Sequence, residues 1–189
     1  AALLVLLGCA APVLPDGPAE PGTYQVWMPE RAGGYQRTYR IHVPPGLPEG
    51  EPVPLVVALH GGGSQPHTLE ARSGWNAVAA RHGFLVVYPR GEGGLGLFRH
   101  WNAGHCCATG QIQDRDDVGF LGRVLDDAIR RLPIDPARVH LVGFSNGGML
   151  AWRFAALHPE RVAGVAAVAA TLDDGRDDGE ERVPGIQDA

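Results

Sequence analysis

Ser145 lies in Gly143-Phe144-Ser145-Asn146-Gly147, and Leu59-His60-Gly61-Gly62-Gly63 precedes it in the chain. A serine hydroxyl is a weak nucleophile until a turn exposes it and a base takes its proton. The pattern G-x-S-x-G supplies the turn when a strand runs into it and a helix runs out, because the crowded flanks accept only glycine and the hydroxyl is lifted above the sheet. With 27 Gly and three Ser in 189 residues, chance would supply the pattern about 0.06 times per chain. The Gly61–Gly63 run offers the complementary part. An oxyanion needs backbone N–H donors aimed into open space, where a side chain would block the carbonyl. Gly61 or Gly62 then supplies one donor, and Asn146, the residue after the nucleophile, supplies the other. His60 precedes the loop and reads as structural. A phosphate cradle is the competing use of such glycines, but the Gly-Lys-Ser/Thr ending it needs is absent. The chemistry these residues suit is nucleophilic acyl transfer.

These groups need a scaffold, and the chain reads as alternating strands and helices. Tyr24–Met28 and Arg37–Val43 form an antiparallel pair around Gly33-Gly34. Pro54–Leu59 and Phe84–Tyr88 are continuous apolar runs, as expected of strands buried on both faces. A helix is expected over 67–82, closed by Gly83, and another over 114–132, where Val118, Leu121, Leu125, Ile129 and Leu132 recur at helical spacing. Arg138–Val142 and Val162–Ala169 are further strands, with a helix over Asn146–Leu157 between them. Alternation at these lengths means an α/β fold: a mostly parallel sheet with right-handed crossovers. Asp116 and Asp117 stand where acids complement a helix N-terminus, and His158 stands at a helix end.

The 189 residues suffice for one domain. All 16 basic residues are Arg, 21 acids outweigh them, and the formal charge is −5, which argues against a nucleic-acid partner. No apolar run reaches the 18 residues or more that a transmembrane helix takes. The start, Ala-Ala-Leu-Leu-Val-Leu-Leu-Gly-Cys-Ala, reads as the apolar part of an export signal. Residues 1–22 are thus expected to be a signal remnant with a Pro-rich tether, residues 23–170 the domain, and residues 171–189 an acidic tail outside the core. Leu6-Leu7-Gly8-Cys9 resembles a bacterial lipobox, which would place a lipid on Cys9 and tether the protein to a membrane outside the cytoplasm. Cys106 and Cys107 remain, either as a vicinal disulfide or as unpaired thiols.

Five motifs in order carry a resemblance: Leu59-His60-Gly61-Gly62-Gly63, Gly83-Phe84-Leu85-Val86-Val87-Tyr88-Pro89, Trp101-Asn102-Ala103-Gly104-His105-Cys106-Cys107, Asp116-Asp117-Val118-Gly119-Phe120 and Gly143-Phe144-Ser145-Asn146-Gly147-Gly148-Met149. Over about residues 35–170 the chain resembles the secreted polyhydroxybutyrate depolymerase-like and feruloyl or acetylxylan esterases of the α/β-hydrolase superfamily. The resemblance implies a metal-free Ser–His–Asp esterase with Ser145 as nucleophile and Gly61, Gly62 and Asn146 in the oxyanion segments. Its substrate would be a polyhydroxyalkanoate, feruloyl or acetyl ester.

One departure limits that implication. In this superfamily the triad runs Ser, then acid, then His. Between Ala170 and Ala189 there is no His, and Asp173 and Asp174 stand a strand too early for the acid. The expectation is a domain lacking its last strands, with His100 and His105 the only substitutes placed to overhang the site. The alternative to an esterase is a non-catalytic envelope lipoprotein or remnant that keeps the half-site.

Overall fold

Six strands form one sheet because their apolar residues alternate or run continuously as a two-sided core requires. In the computed structural model, which describes residues 12–14, 19–28, 36–93, 98–104, 106 and 115–171, the strands are β1 (Gly22–Trp27), β2 (Thr38–Val43), β3 (Val53–Leu59), β4 (Leu85–Pro89), β5 (Ile134–Phe144) and β6 (Gly164–Val168). Their order across the sheet is β1-β2-β4-β3-β5-β6. β1 and β2 pair antiparallel, with Gly22 opposite Val43 and Trp27 opposite Thr38, and β2 is antiparallel to β4. The β4–β3, β3–β5 and β5–β6 pairs are all parallel. β3 and β5 therefore end on the same edge of the sheet, with Leu59 beside Gly143. The two chemical motifs start from those neighbouring ends.

The helices follow their local signals. The stretch expected as one helix is two, α1 (Pro66–Ser73) and α2 (Trp75–His82), because Gly74 between them adopts φ +74° and breaks the hydrogen-bond ladder. α3 (Asp117–Arg131) starts at Asp116, whose side chain accepts from Gly119 N at 2.6 Å, and ends with Arg130 and Arg131 at its negative pole. α4 (Asn146–Leu157) leaves the elbow and is followed by a short 3₁₀ turn, Pro159–Arg161. α3 and α4 pack Phe120, Leu121, Val124, Leu150 and Phe154 onto Ile41, Leu55, Val57, Val87 and Leu141. α1 and α2 cover a smaller cluster around Ala58, Ala79, Val86 and Tyr88 on the opposite face. Over β5 and β6 that second face stays open among the described residues, and Phe144 and Val168 are each about half exposed.

The expected tether departs from its description. Gln25 N donates to Pro12 O at 2.7 Å, Val13 bridges to Gln25, and Leu14 is buried in the main core. Tyr24 O–H donates to Glu20 O at 2.7 Å. Residues 12–14 and 19–21 lie on the domain because apolar side chains there have a core edge to bury against. Cys9, His105, Cys107, Asp173, Asp174 and the acidic tail fall outside the described residues. Cys106 is disulfide-bonded, which removes the reading that leaves it an unpaired thiol.

Candidate active site

The elbow is built by close approach. Ser145 has φ 51° and ψ −124°, a conformation a side chain rarely adopts, and its N–H donates to Val168 O of β6 at 2.8 Å. A methyl group on Gly143 would strike Gly147 O, and one on Gly147 would strike the carbonyls of Leu59 and His60. Gly148 is crowded as well, since its added carbon would come within 2.8 Å of Gly143 O. The glycines thus let the start of α4 sit against the end of β3. That contact brings the first glycine of the loop to the serine. A carbon on Gly61 would lie 3.5 Å from Ser145 Cβ, and one on Gly62 would lie 3.8 Å from Asn146 Cβ. Ser145, Asn146, Gly61 and Gly62 are together in one place.

Donor supply in the loop is settled by its own bonds. Gly63 N donates to Arg99 O at 2.7 Å and Ser64 N to Gly61 O at 3.1 Å. Among the described residues the N–H groups of Gly61 and Gly62 have no such partner. Asn146, as the first residue of α4, has no carbonyl one turn earlier in its helix to receive its N–H. Its side chain works elsewhere: Oδ1 accepts from Trp101 N at 2.7 Å and Nδ2 donates to Trp101 O at 3.0 Å. The elbow and the 98–104 loop are tied together by that amide. Sequence reasoning assigned Asn146 only a backbone role.

His60 is fully buried and faces the scaffold. Gly91 N–H donates to its Nε2 at 3.0 Å, so Nε2 carries a lone pair and Nδ1–H is the donor to Gly61 O at 2.9 Å. Trp101 Nε1–H donates to His60 O at 2.7 Å, and the two rings lie 4.9 Å apart. Burial pushes the imidazole down to about 4, so it stays neutral. It shapes the glycine loop and has no free nitrogen for proton transfer, in agreement with the structural reading of its position.

A buried ion pair supports the other side of the loop. Asp117, fully buried, accepts from Arg37 Nη1 at 2.6 Å and from Asn102 N at 2.6 Å. Arg37 in turn lies 3.5 Å over the Phe120 ring, and Arg115 bonds Glu92 at 2.6 Å beside it. Burial raises Asp117 and lowers Arg37 from their ordinary values, each opposed by the other's charge. Asp116 caps α3 as expected, whereas Asp117 does more than complement the dipole. Arg37, 80 positions before Asp117 in the chain, carried no sequence signal, since an arginine in a strand reads as solvated.

Of the histidines proposed to overhang the site, His100 is described. Its ring packs over Gly62, where an added carbon would come within 2.8 Å of its Cδ2, and its Nδ1 lies 3.2 Å from Phe98 O. His158, at the end of α4, stacks on Phe154 with ring centroids 5.0 Å apart and faces Glu160 at 3.8 Å. Among the described residues no three His, Cys, Asp or Glu side chains cluster to hold a metal.

Comparison with known proteins gives a consistent picture. A family profile described as the alpha/beta hydrolase fold matches residues 102–188. NocK of Nocardia uniformis subsp. tsuyamanensis, provisionally named an esterase, is 39% identical over 74% of this chain and 39% of its own. Poly(3-hydroxyalkanoate) depolymerase C of Paucimonas lemoignei is 35% identical over 68% of this chain and 30% of its own. The bifunctional acetylxylan esterase/xylanase XynS20E of Neocallimastix patriciarum is 29% identical over 72% and 18%. The chain thus spans well under half the length of these curated relatives. Among solved structures, an acetyl xylan esterase from Aspergillus awamori superposes with a TM-score of 0.61 at 21% identity, over 77% of this chain and 53% of that one.

Proposed function

We propose that this chain, an α/β-hydrolase-fold relative of the poly(3-hydroxyalkanoate) depolymerases and feruloyl esterases, carries the nucleophile and oxyanion half of a serine carboxylic-ester hydrolase. The observation that supports this most directly is the juxtaposition of Ser145, in its strained turn, with Gly61, on which an added carbon would lie 3.5 Å from Ser145 Cβ. In this reading Ser145 Oγ attacks the ester carbonyl, and the N–H groups of Gly61 or Gly62 and of Asn146 receive the negative oxygen. Removing one such donor typically costs 10²–10³ in turnover, about 3–4 kcal/mol. The acyl enzyme is then hydrolysed, with the alcohol leaving first. The substrates are polyhydroxyalkanoate, feruloyl or acetyl esters outside the cytoplasm, and lipid on Cys9 would hold the enzyme at a membrane.

Among the described residues no imidazole is in hydrogen-bond contact with Ser145, and a serine hydroxyl needs a base to become a strong nucleophile. The test joins this chain to the segment that follows the matched span in a relative and assays p-nitrophenyl butyrate. The joined protein should exceed the 189-residue chain by at least about 10³-fold, the scale of a missing triad member. Ser145→Ala in the joined protein should remove that gain. Equal turnover with and without Ser145 would overturn the assignment.

A further inference from the structure

A cavity of about 280 Å³ opens where the end of β1, the start of β2 and the start of α1 meet. Trp27, Gln25, Arg40, Gln65, His67 and Arg90 line it, and no carboxylate among the described residues does. Trp27 keeps 50% of its surface exposed. Arg90 is partly buried, and among the described residues its guanidinium forms no hydrogen bond or ion pair. Arg40 shares its Nε with Glu70 at 2.7 Å, and Gln25 donates Nε2 to Tyr39 O at 3.1 Å. The cavity therefore offers one flat apolar surface, a cation unpaired among the described residues and further donors. A phosphate would leave the indole unused, and a neutral sugar would leave Arg90 unpaired.

Position decides what kind of ring fits. Trp27 and Thr38 lie opposite each other, and Tyr39 pairs with Pro89, so the cavity sits at the same end of the sheet as Ser145. Three strand spacings, β2-β4-β3-β5, separate it from the elbow, which is about 14 Å. A ring held there and an ester at Ser145 belong to different units of one long ligand. We propose that the cavity is a subsite for an acidic polysaccharide, with the apolar face of a uronate sugar on Trp27 and its carboxylate on Arg90. Aromatic plates with a few convergent polar groups are the usual make-up of such sites, and the charge-assisted pair to Arg90 sets the preference for acid. The choice of a polymer rests on the ester-hydrolase reading; the ring-and-carboxylate recognition does not.

Isothermal titration of the full chain carrying Ser145→Ala tests this without catalysis. The titrants are a xylo-oligosaccharide bearing one glucuronate, the neutral oligosaccharide of the same length, and free ferulate. The acidic oligosaccharide should bind at least about tenfold tighter than the neutral one, and the preference should shrink as salt is raised. Arg90→Gln should erase that preference, and Trp27→Ala should weaken both sugars about tenfold while Trp27→Phe restores much of the loss. Circular dichroism checks that each variant is folded, and if Trp27→Ala is not, the Trp27→Phe and Arg90→Gln results decide. No binding, equal binding of the two sugars, unchanged affinity in Arg90→Gln, or ferulate as strong as the acidic oligosaccharide would each overturn the proposal. Absence of Ser145-dependent turnover in the joined protein, with sugar binding intact, would instead strike the proposed function alone.

Discussion

At the scale of single residues, His60 and Ser145 show how one loop asks opposite things of neighbouring groups. Ser145 must face open space, and its turn accepts a strained φ to do so. His60 must be kept neutral, because a protonated ring would point an N–H at the N–H of Gly91. This has a pH consequence. The folded pKa of about 4 lies below the value near 6.5 of an unfolded histidine, so the unfolded chain binds the extra proton first. Stability is therefore complete above about pH 6.5 and falls as pH drops toward 4, by up to about 3 kcal/mol. Half-buried His42 shifts in the same direction. Chemical denaturation at pH 7.5 and 4.5 should show this loss in the parent protein. His60→Gln should be less stable at pH 7.5 yet show a visibly smaller difference between the two values. An unchanged difference would mean that other groups carry the acid sensitivity.

At the scale of elements, the loops of the candidate site are held by buried polar ties as well as by the packing of Trp101 and Ala103 in the main core. The 98–104 loop is fastened to α4 by the Asn146 amide and to α3 by Asp117, and Asp117 is neutralised by Arg37 from the start of β2. Taking away one partner of a buried pair leaves the other charged without compensation, which costs about 3–5 kcal/mol. Arg37→Met should lower the urea midpoint by that amount of stability, while Arg37→Met with Asp117→Asn should recover a large part of it. Asn102 and Trp101 would loosen in the single variant, so trypsin should cut the 98–104 loop faster, read by mass spectrometry. Two helices where the sequence suggests one are a smaller lesson of the same kind. Residues 67–82 read as one helical stretch, and the left-handed Gly74 divides it.

For the whole molecule, the sheet puts both motifs and the cavity at Trp27 on one edge, and leaves the face over β5 and β6 open among the described residues. No helix among those residues is long and apolar enough to cross a membrane. Membrane attachment in the proposed reading is through lipid at Cys9. Burial of acyl chain contributes about 0.8 kcal/mol per CH₂, enough in a diacylated protein for stable anchoring. Expressed in a bacterium behind a complete signal peptide, the protein should enter the detergent phase and carry the mass of the lipid. Cys9→Ala should send it to the aqueous phase, and identical partitioning of the two would remove the anchor from the reading.

Much of this was legible in the residues alone, where the signal is local. Gly143, Ser145 and Gly147 announce a turn because sterics within five residues permit little else there, and Gly61–Gly63 after an apolar strand announce exposed donors for the same reason. The α/β alternation is local too, since each strand and most helices declare themselves by burial period and by glycine or proline at their ends. What the tertiary structure decided is everything that depends on one element meeting another. The parallel pairing of β3 with β5 brings Gly61 beside Ser145, and no spacing in the chain encodes which strands become neighbours. The partners of Asp117 and Asn146, the burial that keeps His60 neutral, the docking of residues 12–14 and the gathering of Trp27 with Arg90 are of this kind. Each is an energy of contact between segments far apart in sequence. A single residue's type carries no record of its partner until the sheet has closed around both.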